Sequence, residues 1–291
     1  LGDVYKRQTY YSDRRQIIEN RDQLARLDLT HVTLELDSEI ENYEDILYQL
    51  YTDGELAEKI RQLNEGQTAA VTRNQIRREL RSVFWLRDHI TSITVVAQNG
   101  ETVFYDRLST SLQTNPCLHD SELSDASLFS ELSSRNGYTV FPTRYATHFA
   151  NNDYYLFYIG HRGLNEKAIT RTDAVFLMSV DASLLKNALS ESSFSSEQAF
   201  VFVIDDTGHV MYHPDTSQIG AYTGEIKPDL QKFIAESSVL DGENLVYYTQ
   251  PSTQTGWTVI SVLDCAPFTA AIDQRLLISL STVSYTHLRA H

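Results

Sequence analysis

The residues best suited to binding chemistry are aromatic and basic side chains that gather between positions 138 and 162. This cluster consists of Tyr138, Arg144, Tyr145, His148, Tyr154, Tyr158, His161 and Arg162. It contrasts with the chain as a whole, which is acidic, with a formal net charge of −15. Aromatic walls with a few convergent hydrogen-bond donors are typical of a small-molecule pocket. The cluster therefore predicts a binding site for a small solute.

Strand alternation divides these aromatic residues between two faces of a sheet. One face carries Tyr154, Leu156 and Tyr158, and the other carries Tyr155, Phe157, Ile159 and His161. A guanidinium group from Arg144 or Arg162 can bind a carboxylate through two parallel hydrogen bonds. The alternative is that the tyrosines only pack the sheet, for which their shape is well suited.

A second group of polar residues has the side-chain types of a metal site. It comprises Asp205, Asp206, His209, His213 and Asp215. His209 and His213 share one face of a strand, but an extended strand separates them by about 13 Å, too far for one ion. Residues 205–208, Asp-Asp-Thr-Gly, have the composition of a hairpin turn. We therefore predict no metal site and expect a local hydrogen-bond network.

Known catalytic and cofactor-binding motifs are absent from the sequence. It contains no Gly-x-Ser-x-Gly elbow, phosphate-binding loop, His-Glu-x-x-His pair or dinucleotide fingerprint. Its acidity disfavours nucleic-acid binding, since phosphate recognition depends on clustered Lys and Arg. Cys117 and Cys265 form neither a zinc pattern nor a disulfide framework. We expect a non-catalytic domain without a cofactor, the alternative being a hydrolase with an unrecognised site.

Two helices are predicted ahead of the strands from apolar spacings of three and four residues. No proline occurs from about Tyr10 to Leu63, and one helical face carries Leu29, Val32, Leu36, Ile40, Tyr43, Leu47 and Leu50. Gly54 marks an expected break in this amphipathic helix. A second helix follows from about Ala69 to His89. Trp85 near its end is a further candidate for the pocket wall, although a helical tryptophan more often lies in the core.

The rest of the chain predicts two successive antiparallel units with the same order of elements. In the first, a hairpin at Asn99-Gly100 joins strands Ser92–Ala97 and Thr102–Asp106. A helix near Ser127–Ser134 and the strands Tyr138–Pro142, Tyr154–His161 and Ala174–Asp181 follow. In the second unit, Asp181 caps a helix over Ser183–Leu189. The later elements are strands Ala199–Ile204, His209–His213, Asn244–Gln250 and Trp257–Leu263, and a helix near Pro228–Glu236.

Both ends of the chain have the sequence of artefacts. Asp3–Gln8 and Val283–His291 read as translations of the two strands of one transposon-end adapter used in sequencing libraries. We exclude both from fold reasoning and expect an internal fragment of a longer protein.

The apolar run Leu276–Thr282 is shorter than the roughly 20 residues that cross a bilayer. We interpret it as the truncated start of a transmembrane helix, the alternative being an ordinary C-terminal helix.

The order of elements and two motifs resemble the double Cache sensor domains of bacterial membrane receptors. The first motif is Val201–Asp215, with an aspartate-glycine hairpin and a His-x-Asp segment, and the second is the closing strand Gly256–Val262 with its tryptophan. Residues 43–53 and 84–87 resemble the extracellular half of sensor histidine kinases. The resemblance implies an α+β fold with a long N-terminal helix, two PAS-like antiparallel-sheet units and a C-terminal helix leading to a truncated membrane span.

The resemblance also implies domain boundaries and a ligand site. The parts are artefacts at 1–8 and 283–291, a signalling helix at 9–66, a membrane-distal unit at 67–181, a membrane-proximal unit at 182–264 and a C-terminal helix at 265–282. The ligand pocket lies in the distal unit, at Trp85, Tyr138, Arg144, Tyr145, His148, Tyr154, Tyr158, Arg162 and Asp173. The amino-acid-binding form of the family has a tryptophan-tyrosine pair after its arginine. Here Tyr145 follows Arg144 without tryptophan and Asp173 only loosely fits the later aspartate, so amino-acid sensing is not expected.

The function implied is sensing outside the cell. Ligand binding would shift the long helix against the final one and so carry a signal through the membrane. We expect the extracellular sensor of a membrane histidine kinase, attached to the membrane through its flanking helices. We also expect a homodimer through the Leu29–Leu50 stripe, the alternative being that the stripe packs on its own sheets. Other functions that fit are a solute-binding protein and the sensor of a chemotaxis receptor or diguanylate cyclase.

Overall fold

The computed structural model describes residues 2–66, 69–107, 124–146, 154–165, 168–190, 199–223, 239–242 and 245–264, together with residues 266, 270 and 274. His148, the helix expected near Pro228–Glu236 and most of the expected C-terminal helix lie outside these residues. Within the described ranges, no helix combines the length and apolar character needed to cross a bilayer.

The first helix, α1 (Gly2–Thr52), is 51 residues long, or about 75 Å at the rise of an α-helix. The predicted apolar stripe is confirmed, because every member from Leu29 to Leu50 is at most 7% exposed. These side chains belong to the core that α1 shares with the chain's own sheets. The expectation that this stripe forms a dimer contact is therefore wrong, and the alternative, packing on its own sheets, is confirmed.

Two shorter helices follow α1. The expected break occurs at Asp53, whose carboxylate accepts hydrogen bonds from the backbone N–H groups of Glu55 (2.8 Å) and Leu56 (3.1 Å) and so caps α2 (Gly54–Asn64). The next helix, α3 (Ala69–Val83), ends earlier than predicted. Trp85 therefore lies in the turn that follows α3 and not within the helix.

Two five-stranded antiparallel sheets make up the rest of the fold. Sheet 1 contains β1 (Ile90–Ala97), β2 (Thr102–Asp106), β3 (Thr139–Tyr145), β4 (Tyr155–Asn165) and β5 (Ala168–Asp181), with α4 (Asp125–Ser134) before β3. After α5 (Ser183–Ser190), sheet 2 contains β6 (Ala199–Ile204), β7 (Val210–Tyr212), β8 (Val239–Gly242), β9 (Leu245–Pro251) and β10 (Thr258–Asp264). The orders β2-β1-β5-β4-β3 and β7-β6-β10-β9-β8 are the same when each sheet is numbered from its own first strand.

Sheet 1 has helices on both faces. Its α1 face, with Ile93, Phe157, Ile159, Phe176 and Met178, packs in the cluster that includes α1, α2 and α3. Its α4 face, with Val96, Leu156, Tyr158, Val175 and Leu177, packs against Leu128 and Leu132 of α4. The predicted alternation along β4 is therefore confirmed.

The two sheets are separate, but their α1-facing sides form one continuous hydrophobic cluster. Phe157 of β4 and Trp257, next to β10, meet edge to face with ring centroids 5.7 Å apart. Sheet 2 has a further cluster of its own, which contains Phe202, Ile204, Val210, Tyr247, Ile260 and Val262. The two units thus share one core along α1 while each keeps a second, independent face.

Candidate functional site

A row of hydroxyl side chains crosses the α4 face of sheet 1. Ser92 of β1 pairs with Ser179 of β5, and Ser179 pairs with Tyr158 of β4. All three residues are at most 5% exposed. The Ser179 hydroxyl bonds to the Ser92 hydroxyl and lies 2.7 Å from the Thr91 hydroxyl. Thr94, fully buried, lies two residues along β1 from Ser92. The middle of this face is therefore polar although it is buried.

The helix α4 covers one end of the same face. It approaches closely because Gly160 has no side chain, since a Cβ there would lie 2.8 Å from a methyl group of Leu132. The N-terminus of α4 is held by Asp125, which accepts a 2.8 Å hydrogen bond from the Thr102 hydroxyl. Tyr158 lies two residues along β4 from Gly160 and belongs to the same hydrophobic cluster as Leu132, so the hydroxyl row begins next to α4.

Arg144 and Tyr154 lie at the other end of the α4 face. Arg144 pairs with Leu156, which is about 7 Å along β4 from Tyr158. Tyr154 packs against the same hydrophobic cluster, and its carbonyl accepts a 2.8 Å hydrogen bond from Ala146. The structure thus brings together three of the predicted site residues, Arg144, Tyr154 and Tyr158. These three residues place one guanidinium and two phenols on the face that carries the hydroxyl row.

Two other predicted residues, Tyr138 and Tyr145, lie on the opposite, α1 face. Tyr145 directly follows Arg144, so strand alternation places it on the opposite face. Tyr138 lies there because of a register shift between Phe141 and Arg144, where β3 has one more residue than β4 and so reverses its alternation. Tyr138 packs against His161, with ring centroids 4.5 Å apart. Tyr145 makes an edge contact with Tyr155 and is 42% exposed. These residues do not share a surface with Arg144.

His161 is the most enclosed polar ring on the α1 face. It stacks on Tyr51 of α1 with centroids 4.6 Å apart and planes 5° from parallel. Among the described residues, no group hydrogen-bonds to its buried Nδ1 atom. Burial lowers the pKa of this imidazole, because water no longer stabilises the charged form. His161 is therefore a neutral packing residue at neutral pH.

Arg162 and Asp173 lie toward the far end of sheet 1. Arg162 donates a 2.6 Å hydrogen bond to Asn136 and a weaker one to the Ser133 carbonyl, both near the end of α4. Asp173 is six residues along β5 from Ser179, which is about 20 Å. Its carboxylate lies 3.2 Å from the Arg171 guanidinium. Neither residue lies within reach of Arg144.

Trp85 is 84% exposed and lies at a different surface, a cleft between α1, the α3–β1 connection and α5. His148 lies outside the described residues.

Sequence reasoning missed the hydroxyl row, although Thr91, Ser92 and Thr94 form a run of hydroxyl residues within a strand. Such a run, otherwise flanked by apolar residues, is the signal that indicates a polar buried face.

The hairpin at Asp205 has the geometry that was predicted for it. One carboxylate oxygen of Asp205 accepts hydrogen bonds from Thr207 and from the backbone of His209 (2.8 Å), and Gly208 adopts a φ of 90°. His213 accepts a 3.0 Å hydrogen bond from the backbone of Asp215. The local hydrogen-bond network is confirmed. In the part of the chain that the structure describes, no group of three His, Cys, Asp or Glu residues is arranged to hold a metal ion.

Comparison with known proteins shows which solved structures share the fold of this chain. No family model matches the chain, and no curated sequence does. Three of the solved structures that match the chain show similarity over most of their own length. The ligand-binding domain of the Pseudomonas fluorescens chemoreceptor CtaA, in complex with L-isoleucine, has a TM-score of 0.62 at 12% identity, covering 87% of this chain and 96% of that one. This chain has the fold of an extracellular sensor domain.

The other two comparisons agree with this assignment of the sensor fold. The ligand-binding domain of PctB from Pseudomonas aeruginosa, in complex with L-Arg, has a TM-score of 0.59 at 10% identity, covering 84% of this chain and 96% of that one. The extracellular domain of vpHK1S-Z8, described as a histidine kinase, has a TM-score of 0.62 at 12% identity, covering 85% and 96%. The resemblance to double Cache sensor domains is thus confirmed for the fold.

Proposed function

We propose that this chain is the extracellular ligand-sensing region of a membrane receptor. The observation that supports this function best is the polar, buried α4 face of sheet 1 within a sensor fold. This face presents groups that can hydrogen-bond to a ligand. It does not present the paired acids, activated nucleophile or cofactor site that catalysis needs. The domain binds a small solute on this face and is not itself an enzyme.

The solute that fits this face carries a carboxylate group. Arg144 supplies a guanidinium, which binds carboxylates through two parallel hydrogen bonds. The phenols of Tyr154 and Tyr158 and the hydroxyls of Ser92 and Ser179 supply further hydrogen-bond partners on the same face. CtaA and PctB are solved with amino acids, so amino acids belong in the test panel beside carboxylates that lack an amino group.

A thermal-shift screen with Arg144→Ala tests this assignment. A solute present at about 100 times its Kd stabilises the folded state by about 2.7 kcal/mol, which raises the Tm of a domain of this size by roughly 5 °C or more. We expect at least one carboxylate to produce this shift in the unchanged protein. The shift disappears in Arg144→Ala and decreases in Tyr158→Phe, because both variants lose a donor on the α4 face.

Arg162→Ala is the matched control. It removes the same charge from the same face of sheet 1, but from β4 and near the end of α4, where Arg162 bonds to Asn136. We expect it to keep the full ligand-induced shift. A ligand that depends on Arg162 and is indifferent to Arg144 would move the site to the other end of β4. A ligand indifferent to Arg144, Tyr158 and Arg162 would reject this face altogether.

The helix α1 is the element that carries the signal in this proposal. It contacts sheet 1 through Tyr51, which stacks on His161, and sheet 2 through Asp37, which accepts hydrogen bonds from Ser252 (2.5 Å) and Thr253. A rigid helix in contact with both sheets transmits a displacement over its whole length. Binding on sheet 1 therefore acts on α1, and α1 acts on the membrane-proximal side.

The output domain in this proposal is a histidine kinase, attached through membrane-spanning segments that flank the sensor. The vpHK1S-Z8 domain favours this output, and the CtaA and PctB domains favour a chemotaxis output on the same fold. The complete gene on both sides of this chain decides between them. A chain with no membrane-spanning segment on either side would instead identify a free solute-binding protein.

A homodimer is the assembly that we propose, through the outer side of α1. Its exposed apolar residues recur at spacings of three, seven and fourteen: Ile17, Leu24, Leu27, Leu34 and Tyr48. Such spacings place them on one stripe of the helix. We expect sedimentation equilibrium to show a dimer for the unchanged chain and a monomer for Leu27→Glu with Leu34→Glu. A monomeric unchanged chain, or a dimer that survives both substitutions, contradicts this interface.

A further inference from the structure

A cleft of about 460 Å³ lies between α1, the α3–β1 connection and α5, and is separate from the α4 face. Glu35, Glu39 and Tyr43 of α1 form one wall, Trp85 to His89 of the α3–β1 connection form another, and α5 forms the third. The volume lies within the range of small-molecule sites. This cleft is therefore large enough for a ligand of its own.

The side chains around the cleft favour a positive charge. Three carboxylates line it, those of Glu35, Glu39 and Asp88, against the single guanidinium of Arg87. Burial, together with the charges of Glu39 and Asp88 and against that of Arg87, raises the pKa of the Tyr43 phenol to about 12. The phenol therefore remains protonated at neutral pH, in a predominantly negative environment.

The Tyr43 hydroxyl has no hydrogen-bond partner among the described residues. The side chain is 1% exposed and its ring belongs to the shared core, yet the residue lines the cleft. The hydroxyl is not among the fully buried unpaired atoms, so it reaches the space of the cleft. It is therefore available to a ligand that binds there.

We propose that this cleft binds a small organic cation that carries ammonium groups. Glu35 and Glu39 are one helical turn apart on the same side of α1, at about 6 Å, so each can accept an N–H from one ligand. Tyr43 adds a third acceptor on the same wall. The Trp85 ring, exposed at the cleft, covers the apolar part of the ligand and attracts its charge.

An organic amine fits this cleft better than a metal ion does. Within the described residues, no three carboxylate, imidazole or thiolate groups converge as metal ligands. The acids are instead distributed along one wall and the opposing connection, and an aromatic ring accompanies them. A molecule with several donors spread over an aliphatic body matches this distribution, whereas a single ion does not.

Occupancy of the cleft acts on the junction between the two units. Its walls belong to α1, to the segment that enters sheet 1 and to α5, which leads to sheet 2. A ligand that touches all three holds them at one spacing. The cleft is thus a second input to the sensor, independent of the solute on the α4 face.

Titration with 1,4-diaminobutane, followed by calorimetry and by tryptophan fluorescence, tests this proposal. The chain has two tryptophans, of which Trp85 is 84% exposed and Trp257 is 1% exposed. The diamine should bind saturably and change the emission of the exposed tryptophan. The emission change disappears in Trp85→Phe, whereas Glu35→Gln with Glu39→Gln raises the Kd measured by calorimetry about tenfold or more.

Tyr43→Phe and Glu41→Gln separate the site from general effects of charge. Tyr43→Phe keeps the buried ring and should weaken binding about threefold to tenfold. Glu41→Gln removes an exposed carboxylate from the same helix outside the cleft, and Arg144→Ala removes the proposed solute contact. Both should leave the Kd for the diamine unchanged.

Three results would overturn the assignment. The first is an equal response to neutral 1,4-butanediol, which lacks the charge. The second is an equal response to magnesium chloride at the same ionic strength, which would make the effect one of inorganic cations. The third is a Kd that does not change in the Glu35→Gln, Glu39→Gln variant.

Discussion

The two sheets have the same strand order but differ in the face that points away from α1. On β1 and β5, sheet 1 carries Ser92 and Ser179 in the middle of that face. On the equivalent strands β6 and β10, sheet 2 carries Phe202 and Ile260. Buried hydroxyl groups cost free energy unless they are hydrogen-bonded, so packing alone favours the composition of sheet 2. Two sheets with the same strand order therefore differ in the polarity of this face, and the polar face of sheet 1 is the one on which we propose that the solute binds.

The sheets also differ in how they are attached to α1. Sheet 1 meets α1 through the shared apolar core and through aromatic groups: His161 stacks on Tyr51, and the phenols of Tyr51 and Tyr138 lie within hydrogen-bonding reach of each other. Sheet 2 adds polar bonds to the same helix: the Tyr248 hydroxyl donates to Asp22 at 2.6 Å, and the Ser252 hydroxyl donates to Asp37 at 2.5 Å. The polar anchors of sheet 2 on α1 are thus carboxylates, whereas Tyr51 offers sheet 1 a phenol.

The largest effect expected comes from the residue that joins the two sheets. Trp257→Ala should lower the free energy of unfolding by about 3–5 kcal/mol, because it leaves a cavity against Phe157 in the shared core. Urea denaturation followed by circular dichroism measures this change. Trp85→Ala removes the same side chain from an exposed turn and should change stability by about 0.5 kcal/mol or less. Equal effects of the two substitutions would show that the sheets do not share a core.

The next effect concerns the polar attachment of sheet 2. Asp37 is 6% exposed and accepts hydrogen bonds from Ser252 and from the backbone and hydroxyl of Thr253. Asp37→Ala should cost about 2–4 kcal/mol, since it leaves these donors unpaired. Asp45→Ala, at an exposed position of the same helix, is the matched control and should cost about 0.5 kcal/mol or less. Similar losses in both variants would mean that sheet 2 is not held by this bond.

Local sequence signals predicted most of the elements. Asn99-Gly100 and residues 205–208 identified both hairpins, because a positive φ at Gly100 and Gly208 is a local requirement. The strand β8 was missed, since Val239–Gly242 is short and contains Asp-Gly, which also favours a turn. The pairing of β1 with β5 could not be derived from local pattern, because it depends on contacts between distant parts of the chain.

The candidate site was only partly predictable for a related reason. Alternation correctly grouped Tyr154 with Tyr158, because β4 is regular between them. It could not separate Tyr138 from Arg144, since the register shift that places them on opposite faces of β3 has no clear mark in the sequence. Trp85 was assigned to the pocket wall on the assumption of a longer helix. The end of α3 at Val83 places it beside a different cleft.

A pH titration tests a further carboxylate of α1, that of Glu44. Burial, followed by the charges of Glu41, Asp45 and Asp37, raises the pKa of Glu44 to about 7. A raised pKa means that the folded state binds the proton more tightly than the unfolded state does. The stability contributed by Glu44 is therefore complete below its unfolded pKa, near 4.5, and is lost as pH rises through 7.

Glu44→Gln is the variant that isolates this effect. At pH 8 it should be more stable than the unchanged chain by about 1–2 kcal/mol, less than the full pKa shift implies, because solvent still reaches the carboxyl group. The difference should shrink as the pH falls toward 5. A difference that is constant from pH 5 to pH 8 would show that Glu44 titrates normally.

The last comparison concerns the hydroxyl row of sheet 1, where we expect a small effect on stability and a measurable effect on recognition. Ser92→Ala with Ser179→Ala removes both partners of one buried hydrogen bond, which changes stability by about 1 kcal/mol or less. Thr91 keeps its 3.2 Å bond to the Ser179 carbonyl. The double variant should nevertheless bind the carboxylate solute more weakly, by about threefold to tenfold, in calorimetric titration. Unchanged affinity together with a loss of 2 kcal/mol or more would assign the row to folding, and the faces of the two sheets would then differ only in composition.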